Sequence, residues 1–179
     1  MKITVAKTAG FCFGVDRAVN TVYELVGKGE RVCTLGPIIH NPQIVEELSN
    51  KGVRIVDSPA EVEDGETLVI RSHGVTKAVM DECAALGVKT VDATCPFVSK
   101  IHKITAEMGN DGYVTLIAGD ADHQEVIGIV GHCTGDVFVF SGPDELEEIL
   151  KNKEKIGERP VILVSQTTFN AEIFKVCEK

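Results

Sequence analysis

Eight short runs rich in β-branched residues recur along the 179-residue chain: KITVA (2–6), RVCTL (31–35), VRIV (53–56), TLVIR (67–71), VKTVD (88–92), YVTLIAG (113–119), VFVF (137–140) and VILV (161–164). Amphipathic stretches separate them. This alternation constrains the fold more than any other feature, because parallel strands need long crossovers and helices are the usual ones. The pattern predicts an α/β protein of two similar lobes, each a mostly parallel sheet flanked by helices, with lobes at 14–96 and 97–179. Val15, Ala18, Val19, Val22, Leu25 and Val26 fall on one face of a helix that Gly27 and Gly29 end. Asn41 and Pro42 read as N-cap and first residue of a helix carrying Ile44, Val45 and Leu48, with Gly52 after it. Val98, Ile101, Ile104 and Met108 form a third stripe, closed by Gly109.

The formal charge of −9 and pI near 5.0 exclude a general nucleic-acid surface, which needs clustered Lys and Arg. Any anionic ligand must therefore be held locally. A hydrophobic share of 44% suffices for a buried core. No apolar run approaches the roughly 20 residues of a membrane span, and the start lacks the long apolar centre of a secretory signal. A cytoplasmic location without membrane or nucleic-acid partners is the expectation. The six cysteines are widely spaced and form no CxxC pair, which argues against disulfides and zinc ribbons and leaves metal binding or catalysis.

Five times a strand-like run leads through a short polar loop into a helix, and each loop holds a chemically capable residue. They are His40 in GPIIHNP, His73 in RSHGV, Cys95 in DATCPF, His123 and Glu125 in GDADHQEV, and Thr167 with Thr168 in SQTTF. Ligands of parallel α/β sheets bind beyond the carboxyl ends of the strands, and helix N-termini there attract anions. Histidines and threonines on such an edge could hold a phosphate or diphosphate. Pro96 makes Cys95 the expected N-cap, a position suited to a thiolate that ligates iron or acts as nucleophile. Cys12, in AGFCFGVDRAV, occupies a matching loop between Gly10 and Gly14, which allow the backbone to approach something closely.

Simpler readings stand beside these. Cys33, Cys83, Cys133 and Cys177 fit ordinary packing positions, and His102 and His132 lie off the shared edge and read as structural. Thr167 and Thr168 could merely cap the last helix, and Glu125 could merely face a helix dipole.

Taken in order, GFCFGVDRAV, GPIIHNPQIVEEL, SHGV, DATCPFVSKIH, DHQEVIGI and SQTTF resemble the 4-hydroxy-3-methylbut-2-enyl diphosphate reductase (LytB/IspH) family. The resemblance runs from the first strand to about residue 174 and corresponds to the N-terminal two thirds of the family's length. It implies three α/β lobes, the third missing here, with residues 1–13 as a strand and cysteine loop belonging to that third lobe. It implies reductive removal of an allylic hydroxyl as water, giving isopentenyl and dimethylallyl diphosphate in the last step of the non-mevalonate isoprenoid route. The implied cofactor is a [4Fe–4S] cluster on three cysteines, of which Cys12 and Cys95 match two. The third lies beyond this chain, with a Ser and Asn pair that contacts the diphosphate. His40, His73 and His123 would contact the diphosphate, Glu125 would deliver protons, and Thr167, with Thr168 beside it, would orient the hydroxyl-bearing carbon. Ferredoxin or flavodoxin would supply electrons. One departure is HQEV at 123–126, where the family usually has HPEV.

The chain by itself is accordingly expected to assemble its cluster poorly and to be nearly inactive. Two other readings of the same residues stay open: a non-catalytic module binding a phosphate ligand, and a thiol enzyme with Cys95 as nucleophile and His73 or His123 as base.

Overall fold

The computed structural model describes residues 2–7, 9–152 and 156–179. Among them are seven strands and seven α-helices, alternating except between β2 and β3, which a single 3-10 turn at Pro59–Glu61 joins. The elements are α1 (Phe13–Gly27), β1 (Arg31–Leu35), α2 (Pro42–Asn50), β2 (Arg54–Val56), β3 (Glu66–Ile70), α3 (Lys77–Ala85), β4 (Thr90–Asp92), α4 (Pro96–Asn110), β5 (Val114–Ala118), α5 (Gln124–Val130), β6 (Val137–Phe140), α6 (Pro143–Lys151), β7 (Val161–Ser165) and α7 (Ala171–Cys177). They form two parallel sheets, ordered β2-β1-β3-β4 and β6-β5-β7. The α/β class with parallel sheets flanked by helices is as expected.

Two compact units contain these sheets. One comprises the residues up to Ser72 with Lys89–Cys95, the other His73–Val88 with Pro96–Lys179. The expected lobes, 14–96 and 97–179, follow chain order, whereas the packing exchanges one segment. β4 pairs with β3 through Leu68↔Thr90 and stays with the first sheet. The 73–88 loop and helix go with the second unit, where Lys77 N–H donates to the Gly131 carbonyl at 3.3 Å.

In the first unit Ala18, Val19, Val22 and Leu25 of α1 pack with Val32, Val69, Ile38, Ile39 and Leu48, the face read from the sequence. Asn41 caps α2 by accepting from Ile44 N–H, and Gly52 follows in the left-handed region at φ 87°. In the second unit β5 is buried on both faces. Val114, Leu116 and Ala118 face a cluster with Phe140, Leu146 and Ile156, while Ile117 faces Val126 and Ile129.

Residues 2–6, expected to lie outside both lobes, pair with neither sheet, and Ile3 and Val5 are 74% and 75% exposed. A strand needs a neighbour for its N–H and C=O groups, and both sheets form without this segment. One expectation needs correction. Gly109 does not end α4, which runs to Asn110; its buried residues are Val98, His102 and Thr105 rather than the purely apolar stripe. Two polar residues are accommodated there because Thr105 Oγ1 donates within the helix and His102 stacks on another imidazole.

Candidate functional site

All five expected loops lie at the carboxyl ends of parallel strands: His40 after β1, His73 after β3, Cys95 after β4, His123 and Glu125 after β5, Thr167 and Thr168 after β7.

In the first unit Cys12 is the N-cap of α1; it is exposed and its thiol makes no cap hydrogen bond. Cys95, half-buried, immediately precedes α4, and its backbone N–H donates to the Ser72 carbonyl at 2.9 Å. Gly14 joins the two cysteine loops. A Cβ there would lie 2.4 Å from Cys95 Sγ and 3.0 Å from its Cβ, so only glycine lets α1 start against Cys95. The room that the sequence suggested for a ligand is at Gly14 taken by the second cysteine. Arg17, one turn along α1, donates to the carbonyls of Thr94 at 3.0 Å and Asp92 at 3.3 Å and ties the helix to the same loop. His40 is exposed and, with Asn41 as the cap, is not needed to start α2.

Two thiols on adjoining helix starts fit part of an iron–sulfur ligand set, since such clusters are held by cysteine thiolates on loops. They do not complete one. Among the described residues no group of three or more His, Cys, Asp or Glu is arranged to hold a metal ion. The remaining thiols have other surroundings. Burial pushes the Cys33 thiol up to about 11 and raises that of Cys133, Cys83 is buried, and Cys177 packs against the cluster under α6.

In the second unit the neighbouring strands β5 and β7 bring Glu125 and Thr167 together. Glu125 is 2% exposed; its Oε1 accepts from Thr167 N–H at 2.6 Å and its Oε2 from Thr167 Oγ1 at 2.7 Å. A buried carboxyl group held on both oxygens is preorganised, and once it is protonated the hydroxyl in direct contact with it can relay that proton outward. Thr167 and Thr168 are exposed, and neither caps α7, because Asn170 does so by accepting from Glu172 and Ile173 N–H. His123 caps α5 with its ring: Nδ1 accepts from Glu125 N–H at 3.1 Å. In the neutral ring this leaves the proton on Nε2, a donor suited to an anion. The His73 ring lies edge-on to that of His123, with centroids 5.7 Å apart.

One participant was not legible in the sequence. Gln166 is 8% exposed; its Oε1 accepts from Asp120 N–H at 3.1 Å and its Nε2 donates to Thr168 Oγ1 at 2.8 Å, linking the β5 and β7 loops. Its place directly before the two threonines was the only signal.

The family model described as LytB protein matches residues 3–179. A 4-hydroxy-3-methylbut-2-enyl diphosphate reductase of Geotalea daltonii is 44% identical over 172 residues, covering 96% of this chain and 58% of the relative. The enzyme of that name in Geobacter sulfurreducens is 42% identical over 175 residues, covering 98% and 60%. A solved structure of (E)-4-hydroxy-3-methyl-but-2-enyl diphosphate reductase, termed the terminal enzyme of the non-mevalonate pathway, superposes with a TM-score of 0.81 at 39% identity, over 98% of this chain and 61% of the other. A Plasmodium falciparum reductase structure gives a TM-score of 0.84 at 24% identity and attests the fold alone. The chain spans a little under three fifths of the Geotalea daltonii relative's length. With nearly its whole length matched by the family model, the chain belongs to the LytB protein family.

Proposed function

We propose that this chain is the N-terminal part of a reductase acting on 4-hydroxy-3-methylbut-2-enyl diphosphate. The reaction consumes two electrons and two protons: the allylic C–O bond breaks, oxygen leaves as water, and a new C–H bond gives isopentenyl or dimethylallyl diphosphate. The observation that carries this reading is the Glu125–Thr167 pair, a buried carboxyl group bonded to an exposed hydroxyl, on the loops that also carry the His123 ring, which lies edge-on to that of His73. An allylic alcohol diphosphate needs both functions, a proton source at the hydroxyl and donors for the phosphates.

In this proposal His40, His73 and His123 contact the diphosphate, the last through Nε2–H. Thr167 orients the hydroxyl-bearing carbon with Thr168 binding beside it, and Glu125, once protonated, delivers the proton through Thr167. Cys12 and Cys95 are two ligands of a [4Fe–4S] cluster, whose chemistry when bound is electron transfer and Lewis acidity toward the departing oxygen. The third cysteine and the Ser–Asn pair belong to the part of the family's length that this chain does not span, and a sheet there would pair with residues 2–6. Ferredoxin or flavodoxin would be the electron donor. A cytoplasmic setting suits the six free thiols, and among the described residues no helix is long and apolar enough to cross a membrane.

The test is anaerobic iron–sulfur reconstitution of this chain and of a version extended to the relatives' full length, followed by turnover with a chemical reductant. The extended protein should hold iron and sulfide and release both products, and Cys95→Ser should abolish both. Pyrophosphate binding without iron, with neither cluster nor turnover in the extended protein, would instead make it a phosphate-ligand module. Alkylation-sensitive activity at Cys95 in an iron-free extended protein would make it a thiol enzyme.

A further inference from the structure

We infer that His132, outside every motif assigned above, is a positioning residue that sets the His73 ring beside His123. The inference rests on the reading that these two rings face a diphosphate. It comes from the two ends of α5. The first end carries His123 and Glu125. The other is fastened to the loop that carries His73.

Three contacts make that fastening. His132 Nε2 lies 3.0 Å from the Val75 carbonyl, and since a carbonyl only accepts, Nε2 carries the proton and donates. Gly131 lets the backbones meet: a Cβ there would fall 2.4 Å from both Thr76 Cβ and Cγ2 and 3.0 Å from Thr76 Cα, and the Gly131 carbonyl accepts from Lys77 N–H at 3.3 Å. His132 is itself held flat against His102 of α4, with ring centroids 4.1 Å apart and planes 15° apart, and His102 is 7% exposed. Gly128, facing the same place from α5, would put a Cβ 3.4 Å from His102 Nε2 and 3.6 Å from the His73 carbonyl.

Thus α5, a helix of seven residues, spans from His123 at its cap to the 73–77 loop at its end. His132 supplies the side-chain hydrogen bond in that link. His102 supplies the flat surface that fixes the imidazole plane. A histidine suits the position because it combines a directed N–H donor with a face that stacks.

The experiment uses the reduced 179-residue chain, its wild type and the variants H132F and H132Q, with two readouts: nuclear Overhauser contacts between the His73 and His123 rings, and affinity for inorganic pyrophosphate. H132F keeps the stacking face and loses the donor, so the ring contact should vanish and pyrophosphate affinity should fall about fivefold to tenfold, as for one lost hydrogen bond. H132Q keeps a donor and should restore the ring contact and bring affinity to within about twofold of wild type. Wild-type contact and affinity in H132F would overturn the inference. If H132F does not fold, the ¹⁵N shifts of the wild-type ring decide: protonation at Nε2 supports the inference, and protonation at Nδ1 alone overturns it. H123A separates this question from the functional reading. Unchanged pyrophosphate affinity in H123A would count against the diphosphate reading, while the ring contact in H132F would still judge His132.

Discussion

The two ends of the strands carry polar residues for opposite purposes. At the amino ends of the first sheet, Arg31 begins β1, Arg54 begins β2 and Glu66 begins β3. They meet in one ionic cluster: Arg54 donates from Nε to Glu66 Oε1 at 3.0 Å and from Nη2 to Oε2 at 3.1 Å, Glu63 pairs with Arg31 and Arg54, and Glu30 takes Lys89 and the Thr67 hydroxyl. These charges are answered within the chain. At the carboxyl ends stand imidazoles, thiols and hydroxyls, several of them exposed, with the Cys12 thiol capping nothing and Thr167 presenting a hydroxyl backed by a buried acid. The difference teaches where to look for chemistry. Polar groups at the amino ends hold the sheet together, and those at the carboxyl ends stand where ligands of parallel α/β sheets bind.

The comparison can be broken by exchanging the expected effects. The largest is at Glu125. In the version extended to the relatives' full length, if it is the proposed reductase, Glu125→Gln should lower kcat by about 10²- to 10⁴-fold, the usual range for a lost general acid, while the midpoint of thermal unfolding stays close to wild type. A large loss of stability with little loss of turnover would move Glu125 into the structural class. Gly14→Ala comes next. The added methyl meets Cys95 Sγ at 2.4 Å, so it should cost about 1–3 kcal/mol in urea unfolding and also reduce iron uptake on reconstitution, because the two cysteine loops are forced apart.

At the opposite edge Glu66→Gln should cost about 1–3 kcal/mol, the range for hydrogen bonds to a charged group, and leave pyrophosphate affinity unchanged. An affinity change would erase the distinction between the two edges. The same carboxylate sets a pH dependence. Burial on its own would raise the Glu66 carboxyl, but hydrogen bonds from the Arg54 guanidinium and the Glu63 backbone outweigh it and leave the pKa lowered. Since the folded state holds the proton less tightly than the unfolded one, the stabilisation is complete above the ordinary glutamate value of about 4.3 and is lost as pH falls through the lower folded value. Acid unfolding of wild type should therefore show a step below about pH 4.3 that Glu66→Gln lacks. The smallest effect is at Asn41→Ala, which removes the cap of α2 beside His40 and should cost about 1 kcal/mol by urea unfolding.

Much of this was legible in the sequence. Seven of the eight apolar runs are strands, α1 buries the expected face, and Asn41 caps α2. The five loops could be placed because a strand followed by a capped helix is a local pattern, and parallel pairing brings such loops to one side of a sheet. KITVA has strand composition yet pairs with neither of these sheets, because pairing is not local and composition cannot supply the neighbour. Gln166 was missed because its link depends on a residue far away in the chain, Asp120, and the partner of His132, Val75, is likewise one to which no motif points.

The sequence by itself therefore determined the alternation of elements, the family and the residues available for chemistry. These are written in periodicity, caps and ordered motifs that each span a few residues. Only the tertiary structure decided that Gly14 makes room for Cys95, that Thr167 holds both oxygens of Glu125 instead of starting a helix, and that the 73–88 segment packs with the second sheet. Such outcomes depend on which distant side chains reach within a few ångströms of one another, and chain connectivity leaves that open until the core closes.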